Sequence, residues 1–334
     1  MLVTSWSPTH SPGVIAAVRA GVRVLSMPGV RSDMLAQGGL TADYQAVKKL
    51  TERWGEYFAR GATVRLTTAA GTDLVSDLGG WARPPFLDDG SLPKGTGGVG
   101  NMPAGEVAVA PMEQATRGRV VADLTISTTP APLGEPVVID VEGGRVVAIS
   151  GGGEARTFEA ALDAHGDSSR VVAEIALGTN PTALHIGVVI EDEKRLGTAH
   201  IGFGHAVGLG GLNKSSIHAD AIFGGVTMSI DGVELVRDGE VVTQALRREG
   251  LEAFAGAGCR YCQGPADVRV VEELLYAAWT DVPGRQRWAQ VGDADAARVA
   301  AQVLGSGLLE AEPASPQARA LELMSRYRVV VATG

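Results

Sequence analysis

Apolar positions recur at helical spacing near both ends of the chain and at alternating spacing through its middle. Residues 13–30, GVIAAVRAGVRVLSMPGV, predict a short helix running into a buried strand that ends at Pro28. Residues 41–60, TADYQAVKKLTERWGEYFAR, predict a helix with Thr41 as its N-cap and Gly61 as its stop. ATVRLTTAAGTDLVSDLGG then alternates like a strand folded about a turn at Ala70-Gly71. From 71 to 243 short apolar runs are separated by Gly-rich turns, which predicts a β-rich domain built as a barrel or strongly curved sheet. Within it, VIDVEGGRVVAI is a hairpin turning at Gly143-Gly144, and residues 155–165 are a helix packed on the sheet. After 244 the pattern becomes helical again, as in LRREGLEAFAGAG and DVRVVEELLYAAW, with a last strand in VVVATG. The fold class expected is α/β in the α+β sense. A partial α/β unit spans 1–70, a β-rich domain 71–243, and a helical extension 244–334.

Composition narrows this picture. Of 334 residues, 45% are hydrophobic and 20% charged, enough apolar material for a substantial core. The formal net charge of −9 argues against a nucleic-acid partner, since phosphate binding needs a basic surface. No apolar run of about 18 residues is present and the N-terminus lacks a basic-then-apolar leader, so no membrane partner is expected and a cytoplasmic location is the simplest reading. Two cysteines, Cys259 and Cys262, exclude a disulfide framework, and without a second CxxC they read as structural thiols.

The chemistry lies in the β-rich region. His218 and Asp220, in SSIHADAIF, are two apart on a predicted strand and therefore share a face, an arrangement that suits a divalent cation. Glu174, in RVVAEIALGTNP, is a carboxylate inside an apolar strand and needs a partner there. His200, in GTAHIGFG, and Glu106, in NMPAGEVAVAP, lie in similar surroundings. Three carboxylates and two imidazoles suffice for two divalent ions, or for one ion and a general base. GTGGVGN at 95–101 lacks the Lys-Ser/Thr and the helix of a phosphate loop. Ser215 and Ser216 lack the order of a Ser-His-Asp arrangement.

GTDL at 71–74, GNMPAGEVAVAP at 100–111, AEIALGTNP at 173–181, GTAHIGFG at 197–204 and SSIHADAIF at 215–223 together resemble the thermophilic metallo-aminopeptidases typified by aminopeptidases T and S, over roughly residues 20–240. The resemblance implies a homodimeric hydrolase that releases N-terminal residues from short peptides by a metal-bound water. Two Zn2+, Co2+ or Mn2+ ions would be held by Glu106, Glu174, His200, His218 and Asp220, with Glu106 or Glu174 as base. The family's catalytic Tyr has no counterpart, because no Tyr occurs between Tyr57 and Tyr261, which leaves His205 as the nearest proton donor. The sequence is also similar to the ring-cleaving 2,5-dihydroxypyridine dioxygenases, which use one Fe2+ held by two His and an Asp. Their HxD pair matches His218 and Asp220, and their remaining His falls at Glu174. Because those enzymes lack counterparts of Glu106 and His200, the peptidase is the leading expectation, the Fe(II) dioxygenase the alternative, and a metal-binding scaffold without turnover the third.

Overall fold

The computed structural model describes residues 1–5, 7, 12–92, 97–129, 131–242 and 245. The expected helical extension over 244–334, with Cys259 and Cys262, lies outside them apart from Ala245.

The N-terminal part contains β1 (Leu2–Thr4), α1 (Pro12–Arg19), β2 (Arg23–Pro28) and α2 (Tyr44–Arg60). The N-cap of α2 is Asp43 rather than Thr41. The Asp43 carboxylate accepts from the backbone N–H groups of Gln45 and Ala46, whereas Thr41 Oγ1 donates to the Gly38 carbonyl inside a preceding turn. A charged short acceptor so close to the first turn satisfies two otherwise orphaned donors. Gly61 ends the helix, as the pattern predicts.

The chain continues through β3 (Thr63–Thr67), β4 (Asp73–Asp77), β5 (Phe86–Asp88), β6 (Gly98–Asn101), β7 (Glu106–Val109), β8 (Arg117–Ala122), β9 (Thr125–Ile126), β10 (Val137–Glu142), β11 (Arg145–Ser150), α3 (Gly153–Ala164) and β12 (Val172–Gly178). It then passes through α4 (Val189–Asp192), β13 (Ala199–Gly204), β14 (His218–Phe223), β15 (Thr227–Ile230), β16 (Val233–Arg237) and β17 (Glu240–Val241). The strands form three sheets: a parallel β1-β2-β6, an eight-stranded β11-β10-β8-β4-β3-β15-β16-β17, and a six-stranded β5-β7-β12-β13-β14-β9. The expected break at 70/71 falls in the turn of the β3–β4 hairpin, and both strands belong to the eight-stranded sheet, where β3 also pairs with β15. The β10–β11 hairpin turns at Gly143-Gly144, both at positive φ, as a two-residue hairpin turn requires.

Among the described residues no sheet closes into a barrel. The reason is in the core. Val64, Leu66, Ile139 and Met228 from the eight-stranded sheet belong to the same fully buried cluster as Val107, Ile175, Ile201 and Phe203 from the six-stranded sheet, with Trp54 of α2 and Phe158 of α3. Each sheet hides its apolar face against another element, so closure is not needed for burial. The two sheets differ on their other faces. Along β11 the alternation leaves Arg145 and Val147 exposed, whereas every residue of β12 and β13 is buried. A strand buried on both faces has a second, covered side, and there the polar residues gather.

Candidate metal centre

Pleating decides which residues meet. In the six-stranded sheet the odd-numbered Val107, Ile175, Ile201 and Ala221 enter the hydrophobic core. Glu106, Glu174, His200, His218 and Asp220 alternate with them and take the opposite face. The register lines them up. Glu174 and Asp220 both pair with Gly202, His200 pairs with Ala176, and His218 pairs with Gly204. Gly202 is the floor between them. A Cβ there would lie 2.7 Å from His218 Nε2 and 2.8 Å from Glu174 Cβ, so no larger residue leaves both ligands in place.

All five predicted ligands therefore come together, in two groups sharing Glu174: Glu106, Glu174 and His200, and Glu174, His218 and Asp220. In each group the ligand atoms lie within 4.8 Å of one another. His218 Nε2 is 2.9 Å from Glu174 Oε2 and 3.1 Å from Asp220 Oδ1. His200 Nε2 is 3.5 Å from Glu174 Oε1 and 3.6 Å from Glu106 Oε2. The inner group is sealed, with the His200 side chain 2% exposed, whereas His218 and Asp220 keep 18% and 14% and face outward.

The surroundings hold the outer ligands in one orientation. His218 Nδ1 donates to the His205 carbonyl at 2.8 Å, which turns Nε2 toward Glu174 and Asp220. The backbone N–H of Asp220 donates to Ser127 Oγ at 2.8 Å. His205 itself belongs to neither group; its ring lies against the backbone of Ser215, with Nδ1 3.1 Å from that carbonyl.

Sequence reading missed the other charged residues of the inner end. Asp88, Glu193 and a fully buried Lys194 lie beside Glu106. The signal misleads because EDEKR, at 191–195, reads as a solvated charge run. Its backbone instead pairs with Asn180, whose N–H donates to the Lys194 carbonyl, and the Glu191 side chain accepts from the Gly39 N–H.

Electrostatics test whether the residues fit a cation. Five buried or half-buried carboxylates, Asp88, Glu106, Glu174, Glu193 and Asp220, stand against the single ammonium of Lys194. Burial pushes the carboxyls of Asp88 and Glu193 up to about 7 in spite of that ammonium. Burial works against charge on His200 too, but its hydrogen bond to Glu174 and the surrounding carboxylates raise it to about 9. His218 is raised well above its ordinary value against the same burial by Asp220 and Glu174, and Glu174 is held well below the carboxylate range by the two imidazoles despite its own burial. Glu106 Oε2 is a buried acceptor with no hydrogen-bond donor among the described residues. Buried negative charge with an unused acceptor on a convergent His/carboxylate set fits a divalent cation, which would replace the imidazole protons.

With this geometry in hand, comparison with known proteins is informative. Residues 1–243 match the family model NicX, 2,5-dihydroxypyridine 5,6-dioxygenase. No curated protein matches. Among solved structures, 2,5-dihydroxypyridine dioxygenase from Pseudomonas putida KT2440 has a TM-score of 0.62 at 20% identity, covering 71% of this chain and 70% of that one, which is a likeness of fold. Wild-type AmpT from Thermus thermophilus reaches a TM-score of 0.46 at 23% identity, over 60% and 55% of the two chains. The family match corrects the leading expectation. It points to a ring-cleaving dioxygenase and away from a hydrolase of the zinc aminopeptidase or metalloprotease kind. That expectation rested on the presence of Glu106 and His200, which match ligands of the aminopeptidases.

Proposed function

From the premise that the chain belongs to the 2,5-dihydroxypyridine 5,6-dioxygenase family, we propose that it is a ring-cleaving dioxygenase acting on a dihydroxylated aromatic ring. The family match over residues 1–243 is the observation that carries this reading. The outer group, Glu174, His218 and Asp220, would hold one non-haem Fe(II), as a two-carboxylate variant of the usual two-His, one-carboxylate triad. Bound there, Fe(II) supplies the redox centre at which dioxygen and an electron-rich ring can react.

The chain's own contribution is placement. The three ligand atoms converge from strands β12 and β14, which flank β13, with Gly202 of β13 between them clearing the floor. The His205 carbonyl fixes the His218 tautomer and Ser127 fixes the backbone at Asp220, so both ligands are presented without reorganisation. Exposure of His218 and Asp220 leaves the outward side open to substrate, while the sealed inner group keeps water from the opposite side.

The test is oxygen consumption by purified protein loaded anaerobically with Fe(II) and then given 2,5-dihydroxypyridine or other dihydroxylated rings. Uptake is expected with at least one such ring, and His218→Ala and Asp220→Ala are expected to abolish it. A protein that holds Fe(II) yet consumes no oxygen with any of them would falsify the reading.

A further inference from the structure

Lys194 has no exposed side-chain surface. Its Nζ lies 2.5 Å from Glu106 Oε1, 2.9 Å from Glu193 Oε1 and 3.3 Å from Asp88 Oδ2. Removing an ammonium from water is costly, and three carboxylates are the compensation. Its main chain is fixed as well, since its N–H donates to the Glu191 carbonyl and its own carbonyl accepts from Asn180.

Of those three carboxylates, Glu106 is the one that reaches the metal centre. Lys194 takes Glu106 Oε1, and Oε2 is left facing His200 Nε2 at 3.6 Å. The same nitrogen is 3.5 Å from Glu174 Oε1, and Glu174 Oε2 is 2.9 Å from His218. A contiguous line therefore runs from a buried ammonium, through one carboxylate and one imidazole, to the carboxylate shared by both candidate groups. An ammonium is a compact point charge, so it can pin one carboxylate oxygen without competing for the other.

We propose that Lys194 is a positioning residue of the metal centre, acting through Glu106 and His200 to hold Glu174 as a ligand. In this role Glu106 and His200 orient the ligand Glu174, in keeping with the reading of the outer group as the iron site, on which the inference rests. Outer partners of this kind commonly change metal affinity about 10–100-fold when removed.

The experiment measures Fe(II) affinity of the full chain under anaerobic conditions by competition with a colorimetric chelator, with melting in excess chelator as a separate report on folding. Lys194→Met is expected to weaken Fe(II) binding about 10–100-fold. Glu106→Gln is expected to weaken it too, and the double variant to be no weaker than the weaker single variant, because both act along one line. Lys194→Met strands buried carboxylates and can lower the melting temperature. The charge-balanced Glu193→Gln/Lys194→Met variant removes one of them with the ammonium and is expected to melt near wild type while keeping the weakened affinity. Wild-type affinity in that balanced variant, or full additivity in the double variant, overturns the proposal. Wild-type protein that binds no Fe(II) defeats it together with the metal-centre reading, whereas tight Fe(II) binding without oxygen uptake defeats only the proposed reaction.

Discussion

At the scale of single residues, the site depends on one absent side chain and two imidazoles. Gly202→Ala places a Cβ against His218 and Glu174, both held by backbone pairing. It is expected to weaken Fe(II) binding by at least about tenfold, on the order of an outer-partner loss; chelator competition giving the wild-type value would contradict this. The imidazoles set a pH dependence. His200 is raised from 6.5 to about 9 and His218 is raised well above its ordinary value, so protonation of both stabilises the metal-free fold. That stability is complete below the unfolded value near 6.5 and, for His200, is lost as pH rises through about 9. Chelator-treated protein is therefore expected to melt at lower temperature at pH 9 than at pH 6.5. Iron should bind with the opposite trend, more tightly as pH rises, because a ligating imidazole must first lose its proton. A metal-free melting temperature that rises between pH 6.5 and 9 would contradict the first statement, and a fall in Fe(II) affinity over that range the second.

At the scale of elements, the six-stranded sheet has two jobs on two faces, and substitutions should separate them. Phe203 of β13 is fully buried on the core face and meets Phe158 of α3 edge-on, with ring centroids 5.9 Å apart. Phe203→Ala is expected to cost about 3–5 kcal/mol of stability. It should leave the affinity of the folded fraction for Fe(II) close to wild type, because neighbouring residues on a strand point to opposite faces. Urea unfolding combined with metal titration checks both parts. Strand positions were legible in the sequence because alternation and Gly-rich turns punctuate them; the β10–β11 hairpin and the end of α2 at Gly61 follow directly. The N-cap of α2 was not, because Thr41 and Asp43 are both good caps and tertiary packing of the preceding turn chose between them.

At the scale of the whole molecule, all strands of the three sheets and all five ligand candidates precede residue 243, where the family match also ends. A chain cut after residue 246 is expected to hold Fe(II) with the stoichiometry of the full chain. Loss of binding in the truncated protein would show that later residues complete the fold. We further propose a homodimer, to be checked by sedimentation; a monomer at micromolar concentration would contradict it. Among the described residues no helix is long and apolar enough to cross a membrane.

The sequence by itself determined the chemical inventory: an HxD pair on one strand face, and a carboxylate and an imidazole in neighbouring apolar strands, because side-chain period and burial cost are local properties. Only the tertiary structure decided how that inventory is divided. Pairing register set Glu174 between two groups, burial sealed one group and left the other partly exposed, and a lysine from a run of charged residues was carried inside to meet Glu106. Register, cover and the destination of a charged side chain depend on contacts between residues far apart in the chain, and no spacing rule reaches that far.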